Sequence, residues 1–230
     1  DAAWGEVARR LAHEIKNPLT PIQLSAERLE HKLADKLDAG DAEVLTRSTH
    51  TIVNQVAALK SMVDAFAEYA RSPRLNLARL DLNQLVREVL TLYESSDVRI
   101  ELALAPDLPP VQGDAALLRQ VMHNLLRNAE DALAGLPQGE IRVSTERVDG
   151  ASVRWSIEDN GKGFPEGLMG RLFEPYVTTK PKGTGLGLAI VKKIVDEHHG
   201  RIVAQNIEPH GARVCIQLPC AEETSEGVAV

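Results

Sequence analysis

Apolar residues recur along the first third of the chain in alternating steps of three and four. From Leu45 the series runs through Ile52, Val56, Leu59, Val63, Phe66 and Tyr69, with Thr49 filling the one gap. That is the spacing of a helix buried along one stripe against other helices. The preceding segment repeats it at Trp4, Ala8, Leu11, Ile15, Pro18, Ile22, Ser25 and Leu29. Between the two, "ADKLDAGDAE" is polar and carries Gly40, which predicts a hairpin turn. Two long helices with one narrow seam each do not close a core. Pairing two such hairpins into an antiparallel four-helix bundle does, so a homodimer through the hairpin is expected. The alternative is that the helices dock on the rest of the chain.

The periodicity breaks in "RSPRLNLARLD", residues 71–81, with a linker expected over 73–79. Beyond it helix and strand patterns alternate irregularly. Helices are expected near 83–94, 114–134 and 185–199. Strands are expected at "VRIELAL", "EIRVSTERV", "SVRWSIED", "RIVAQN" and "ARVCIQLP". Runs of antiparallel-type strands beside helices predict an α+β layered fold. The expected division is 1–72 for the helical hairpin, 80–220 for the mixed domain and 221–230 for a disordered tail.

Composition narrows the function. Aromatics make up only 3% of the chain, so its cores rest on Leu, Val, Ile and Ala. A net charge of −7 argues against nucleic acid as a partner. Cys215 and Cys220 have neither metal-ligand nor disulfide-framework spacing, which fits a reducing, cytoplasmic setting. No apolar run approaches the roughly 18 residues that cross a bilayer, so no membrane contact is expected within this sequence. The chain begins at Asp1, already in helical sequence, and reads as a piece of something longer.

Three short stretches carry chemistry. In "LLRQVMHNLLRNAEDAL", Asn124, Asn128 and Asp131 form a polar stripe beside a broad apolar face. Taken alone that is a solvated helix face, although amide oxygens also suit Mg²⁺ that arrives with phosphates. In "EDNGKGF", Asp159 ends a strand, and Gly161 and Gly163 allow a tight turn where a ligand can approach. A carboxylate there can accept a hydrogen bond from an exocyclic amine. In "KPKGTGLGLAIVKKIV", Gly183, Gly185 and Gly187 open a helix whose N–H groups suit phosphate, with Lys180 and Lys182 adding charge. The glycine spacing is neither a Walker A loop nor a dinucleotide-binding fingerprint.

The order of these pieces, with "FEPYVTTK" between the last two, resembles the N, G1, F and G2 boxes of the GHKL ATPase superfamily. The resemblance implies a Bergerat α/β sandwich holding ATP. Asn128 would ligate Mg²⁺ with Asn124 and Asp131 nearby, and Asp159 would read adenine. Thr184 and Leu186 would share the glycine-rich box, and a lid over about 163–184 would pack on Phe173.

"HEIKNPLTPIQLSAERL", residues 13–29, puts Pro18 and Pro21 into a helical pattern, where each proline costs about 3 kcal/mol. His13 falls between seam positions and is expected to face solvent. An imidazole is a competent nucleophile near neutral pH, Glu14 can orient it or take its proton, and Asn17 shares its face. The stretch resembles the H box of bacterial two-component sensor histidine kinases. Residues 3–29 are similar to nitrogen-regulation membrane sensors of the NtrY type. That likeness implies phosphorylation of His13 with Glu14 as general base, and transfer to an aspartate of a response regulator. It also implies phosphatase action through Asn17 and an inner-membrane anchor in the full-length protein. The prolines would then let the helix bend beside the histidine. His198 and His199 close a helix where cations suit the dipole, and His123 is given no role. The rival readings are another GHKL ATPase, such as a chaperone or clamp, and a dimeric scaffold or phosphatase that uses nucleotide only to set its conformation.

Overall fold

The computed structural model describes residues 2–70, 75–93, 98–180 and 183–221. Residues 222–230 of the expected tail, Lys182 and the start of the linker lie outside the described residues, as does the Trp4 side chain, whereas Ala221 donates its N–H to the Pro110 carbonyl at 2.8 Å. The chain divides into two compact units: residues 1–73 with 178–186, and residues 74–177 with 187–230.

The first unit is a hairpin of α1 (Ala2–Leu33) and α2 (Ala39–Ala70). Helix α1 runs through Pro18 and Pro21 without a break. The reversal comes earlier than Gly40, which sits inside the first turn of α2. Asp38 starts that helix, its carboxylate accepting the Asp41 N–H at 2.9 Å.

The seam between the helices also departs from expectation. On α1 it is Ala8, Ala12, Leu19 and Ala26 that are buried, with Lys16, Gln23 and Glu30 half-buried between them. Leu11, Ile15, Ile22 and Leu29 are all exposed, by 43 to 51%. On α2, Thr49, Val56 and Val63 are buried as expected, but Ile52 and Leu59 are exposed and Ala70 replaces Tyr69. The physical reason is that small residues let the helices approach and polar side chains cross the seam. Lys16 pairs with Asp64, Lys60 donates to Gln23 Oε1 at 2.9 Å, and Thr49 donates to Glu30 Oε2 at 2.8 Å. The larger apolar residues make a second stripe, which the sequence pattern alone merges with the first.

In the second unit a five-stranded sheet has the order β2-β4-β5-β7-β6. Its strands are β2 (Arg99–Leu104), β4 (Glu140–Arg147), β5 (Ser152–Asp159), β6 (Arg201–Asn206) and β7 (Ala212–Pro219). Only β2 departs from antiparallel pairing, running parallel to β4. A separate ribbon joins β1 (Ala78–Leu80) to β3 (Val111–Gly113), so the linker ends before residue 78 and not at 79. Helices α3 (Leu82–Leu90), α4 (Ala115–Leu133) and α5 (Gly187–Glu197) complete the unit.

The core combines Ile141, Val143, Val153, Trp155, Ile157, Val214 and Ile216 from alternate sheet positions with the apolar faces of the helices. Buried Thr145 is satisfied by donating to Asn83 Oδ1 at 2.7 Å. Alternate residues of the opposite set form ion pairs across neighbouring strands, Glu158 with Arg213 and Glu146 with Arg154. The sheet is therefore apolar on one face and polar on the other, which directs all three helices to one side.

Candidate nucleotide and phosphoacceptor site

Asp159 ends β5 between Ile141 and Ala212 in register, and is only 9% exposed. Burial raises its pKa above the ordinary aspartate range, opposed by N–H donation from Gly161 and Ala212. The Gly161 bond is 2.9 Å. A Cβ on Gly161 would stand 2.8 Å from the Ala132 carbonyl oxygen, so only glycine lets the loop pass the end of α4. Gly163 holds φ +72.

The supports of this loop escaped the sequence reading. Asn206, at the end of β6, accepts the Phe164 N–H at 2.7 Å and donates to the Phe164 carbonyl at 2.8 Å. Asn160 ties the same loop to the start of β4, accepting from Glu140 N and donating to Gln138 O. Gly211, at φ +128, packs directly against the Asp159 carbonyl oxygen. The one sequence signal was a glycine in "IEPHGA" between two strands, which any turn explains equally well. Gly211→Ala is expected to destabilise the chain by about 3 kcal/mol in urea unfolding, from strain and collision together. Gly150→Ala, with open space around its Cβ position, should stay within about 0.5 kcal/mol of wild type.

On α4, Asn124 and Asn128 are half-buried one turn apart, while Asp131 is exposed. The Asn124 amide nitrogen donates to the Gln120 carbonyl at 3.1 Å. A Cβ on Gly187, the first residue of α5, would lie 3.5 Å from Asn124 Oδ1 and 3.9 Å from Asn128 Nδ2. The two amides thus face the N-terminal turn of α5. Nearby in sequence, Gly183 donates to the Lys180 carbonyl at 3.1 Å. A side chain on Gly183 would meet Thr178 Oγ1 at 2.6 Å. Gly185 has φ +67, and Leu186 N–H donates to Thr184 Oγ1 at 3.3 Å. Phe173 is half-buried, and its neighbour Leu172 is the buried residue of that segment.

In the helical unit His13 is exposed, as are Glu14 and Asn17. Glu14 Oε1 accepts from Arg10 Nε at 3.1 Å, one turn earlier on α1. The ring is open to a reaction partner, with a carboxylate next to it in sequence.

The expectation for His198 changes. Rather than serving the dipole of the helix end, it is 1% exposed and hydrogen-bonded at both ring nitrogens. His123 meets the Tyr93 hydroxyl at 3.0 Å.

A buried carboxylate at a glycine turn, beside a helix whose amides face another helix's N-terminus, offers donors and acceptors that suit a nucleotide. Residues 113–222 match the family of histidine kinase-, DNA gyrase B- and HSP90-like ATPases, and residues 3–74 match the His Kinase A phospho-acceptor domain. The chain belongs to the sensor histidine kinases.

Nitrogen regulation protein NtrY of Azorhizobium caulinodans is 43% identical over 96% of the chain. The match spans 29% of that relative's own length. Among solved structures, full-length ShkA in complex with AMPPNP aligns at a TM-score of 0.69 and 28% identity, over 94% of this chain and 46% of that one. Histidine kinase ThkA in complex with response regulator TrrA aligns at 0.66 and 32%, over 94% and 62%. Among the described residues no helix is long and apolar enough to cross a membrane.

Proposed function

We propose that this chain is an ATP-dependent protein-histidine kinase core that phosphorylates His13 and passes the phosphoryl group to an aspartate of a response regulator. The observation that carries the reading is an exposed His13 on a phospho-acceptor hairpin, in one chain with a buried Asp159 above glycine turns. The AMPPNP bound by ShkA and the regulator bound by ThkA support the two halves of it.

In this account Asp159 accepts the adenine amine, and the N-terminal turn of α5 with residues 183–187 receives the phosphates. Asn128, with Asn124 beside it, supplies the neutral oxygen donors that suit Mg²⁺ carried in on a triphosphate. When bound, the ion neutralises phosphate charge. In this reading Asp131 and Lys180 also take part in binding the nucleotide. A ring nitrogen of His13 attacks the γ-phosphorus, the bond to the bridging oxygen breaks, and ADP leaves. Glu14 takes the proton that the ring sheds. Asn17 holds the water or phosphoryl oxygen when the regulator is dephosphorylated.

The exposed stripe of Leu11, Ile15, Ile22 and Leu29 suits a second copy, closing a four-helix bundle. Residues 1–72 serve dimerisation and phosphoacceptance, and residues 80–220 serve catalysis. The full-length protein is anchored in the inner membrane, with this part in the cytoplasm.

The test is the nature of the product. With γ-labelled ATP and Mg²⁺ the chain should acquire acid-labile, base-stable phosphate that a receiver domain then removes. Steady hydrolysis without any phosphoprotein would refute the proposal.

Asp159 also links nucleotide binding to pH. Its folded pKa is raised, so as pH falls through that value the folded chain takes up a proton that the unfolded chain does not yet hold. Stability without ligand should therefore rise over that window while ADP affinity falls, because the carboxylate acceptor is lost. Paired urea and ADP titrations across mildly acidic pH check the opposite signs.

A further inference from the structure

The mixed unit contains a buried histidine that the kinase reading does not use. His198 follows α5 directly and is 1% exposed. Its Nδ1 donates to the Ile194 carbonyl at 2.8 Å, one turn back on its own helix. Its Nε2 accepts the Asp114 backbone N–H at 2.9 Å. An acceptor nitrogen carries no proton, so the two bonds fix one neutral tautomer.

Asp114 is the N-cap of α4. Its Oδ1 accepts the Ala116 and Leu117 N–H groups at 3.0 and 3.2 Å, and its Oδ2 accepts Asn76 N–H at 3.0 Å. Burial pushes this carboxyl upward, but those backbone donors hold it below the ordinary range. The ring is therefore bonded to a residue that is itself fixed three ways.

The far end of α5 is Gly187, which faces Asn124 and Asn128 of α4. Helix α5 thus meets α4 at both ends, by ordinary packing beside Gly187 and by a hydrogen bond at His198. At about 1.5 Å of rise per residue, its eleven residues span about 16 Å between these contacts.

We propose that His198 is a positioning residue for the phosphate end of the nucleotide site. By pinning the end of α5 to the start of α4, it sets where the first turn of α5 stands opposite Asn124 and Asn128. The proposal rests on the ATP reading above and adds a residue to it. Adenine recognition depends on β5 and its following loop, which this clasp does not hold. Loss of the clasp should therefore weaken phosphate and metal binding selectively.

Two replacements divide the ring's bonds. An asparagine amide reaches as far as Nδ1, so His198→Asn keeps the bond to Ile194 and leaves Asp114 N–H unanswered. A glutamine amide reaches as far as Nε2, so His198→Gln keeps the bridge to Asp114. Calorimetric titration of the whole chain with Mg·AMPPNP, and separately with adenosine, reads the outcome beside a thermal unfolding curve.

The expected result is Mg·AMPPNP affinity reduced about tenfold or more in His198→Asn, since misplacement of order 1 Å is costly at a reacting centre. Adenosine affinity should stay within about twofold of wild type, and His198→Gln should recover most of the Mg·AMPPNP loss. Equal Mg·AMPPNP affinity in the two variants would overturn the proposal. So would a parallel fall in both ligands, which marks a general loss of structure. Should His198→Asn fail to fold, nitrogen NMR of the wild-type ring decides. A coupling across Nε2 and Asp114 N–H that persists with Mg·AMPPNP bound supports the clasp, and its absence overturns it. Wild type that binds adenosine but not Mg·AMPPNP would defeat the kinase reading, and this proposal with it.

Discussion

Asn128→Ala is expected to weaken Mg·ATP binding by about 100-fold while adenosine binding stays within about threefold of wild type. The large number follows from losing one oxygen donor to a charged centre, about 3 kcal/mol where that bond is desolvated. The small one follows from the layout of the site. Asn128 lies on α4 facing the start of α5, while Asp159 at the end of β5 is held by Gly161 and Ala212. Fold stability should change by under about 1 kcal/mol, because Asn128 is only half-buried and alanine is the better helix former. Titrations with Mg·ATP, ATP in EDTA and adenosine separate the contributions. The mutant's deficit should shrink when the metal is removed, and an equal deficit for all three ligands would mean that Asn128 acts only through folding.

Much of this was readable from the chain because the relevant signals are local. The end of β5, the span of α4 and the glycine-rich start of α5 each follow from patterning within about ten residues. The seam of the hairpin was misread for a physical reason. Leu11, Ile15, Ile22 and Leu29 are large apolar residues at helical spacing, yet the face against α2 is built from Leu19 and three alanines and crossed by Lys16, Gln23 and Glu30. A periodicity argument weights size and misses a seam made mostly of small residues and polar pairs. It cannot divide one broad apolar stripe into two faces.

The supports of the Asp159 loop were hidden for a different reason. Asn206 and Gly211 lie about 50 residues further along the chain, and only the β7 pairing brings them back to the loop. His198 is the sharpest case. Its place at a helix end suggested a cation suited to the dipole, whereas the ring is buried and accepts the Asp114 N–H at Nε2. Whether a histidine is a cation or an acceptor depends on what the fold sets against it.

His13→Gln carries the other large effect. Glutamine keeps the length and polarity of the side chain at an exposed helical position, so stability should change by no more than about 0.5 kcal/mol. Nothing in the nucleotide site is altered, so Mg·ATP affinity should match wild type. The acceptor nitrogen is gone, however, and glutamine offers no nucleophile of comparable strength. A defect confined to the covalent step therefore separates a phosphoacceptor from a merely structural histidine.

The most direct measurement is covalent incorporation of phosphate from γ-labelled ATP into wild type and His13→Gln, run side by side at saturating Mg·ATP with nucleotide binding measured on the same samples. Wild type should become labelled with acid-labile phosphate, and the variant should bind nucleotide normally and stay unlabelled. Equal labelling of the two would contradict the assignment of His13, and with it the account of how the hairpin and the nucleotide fold work together.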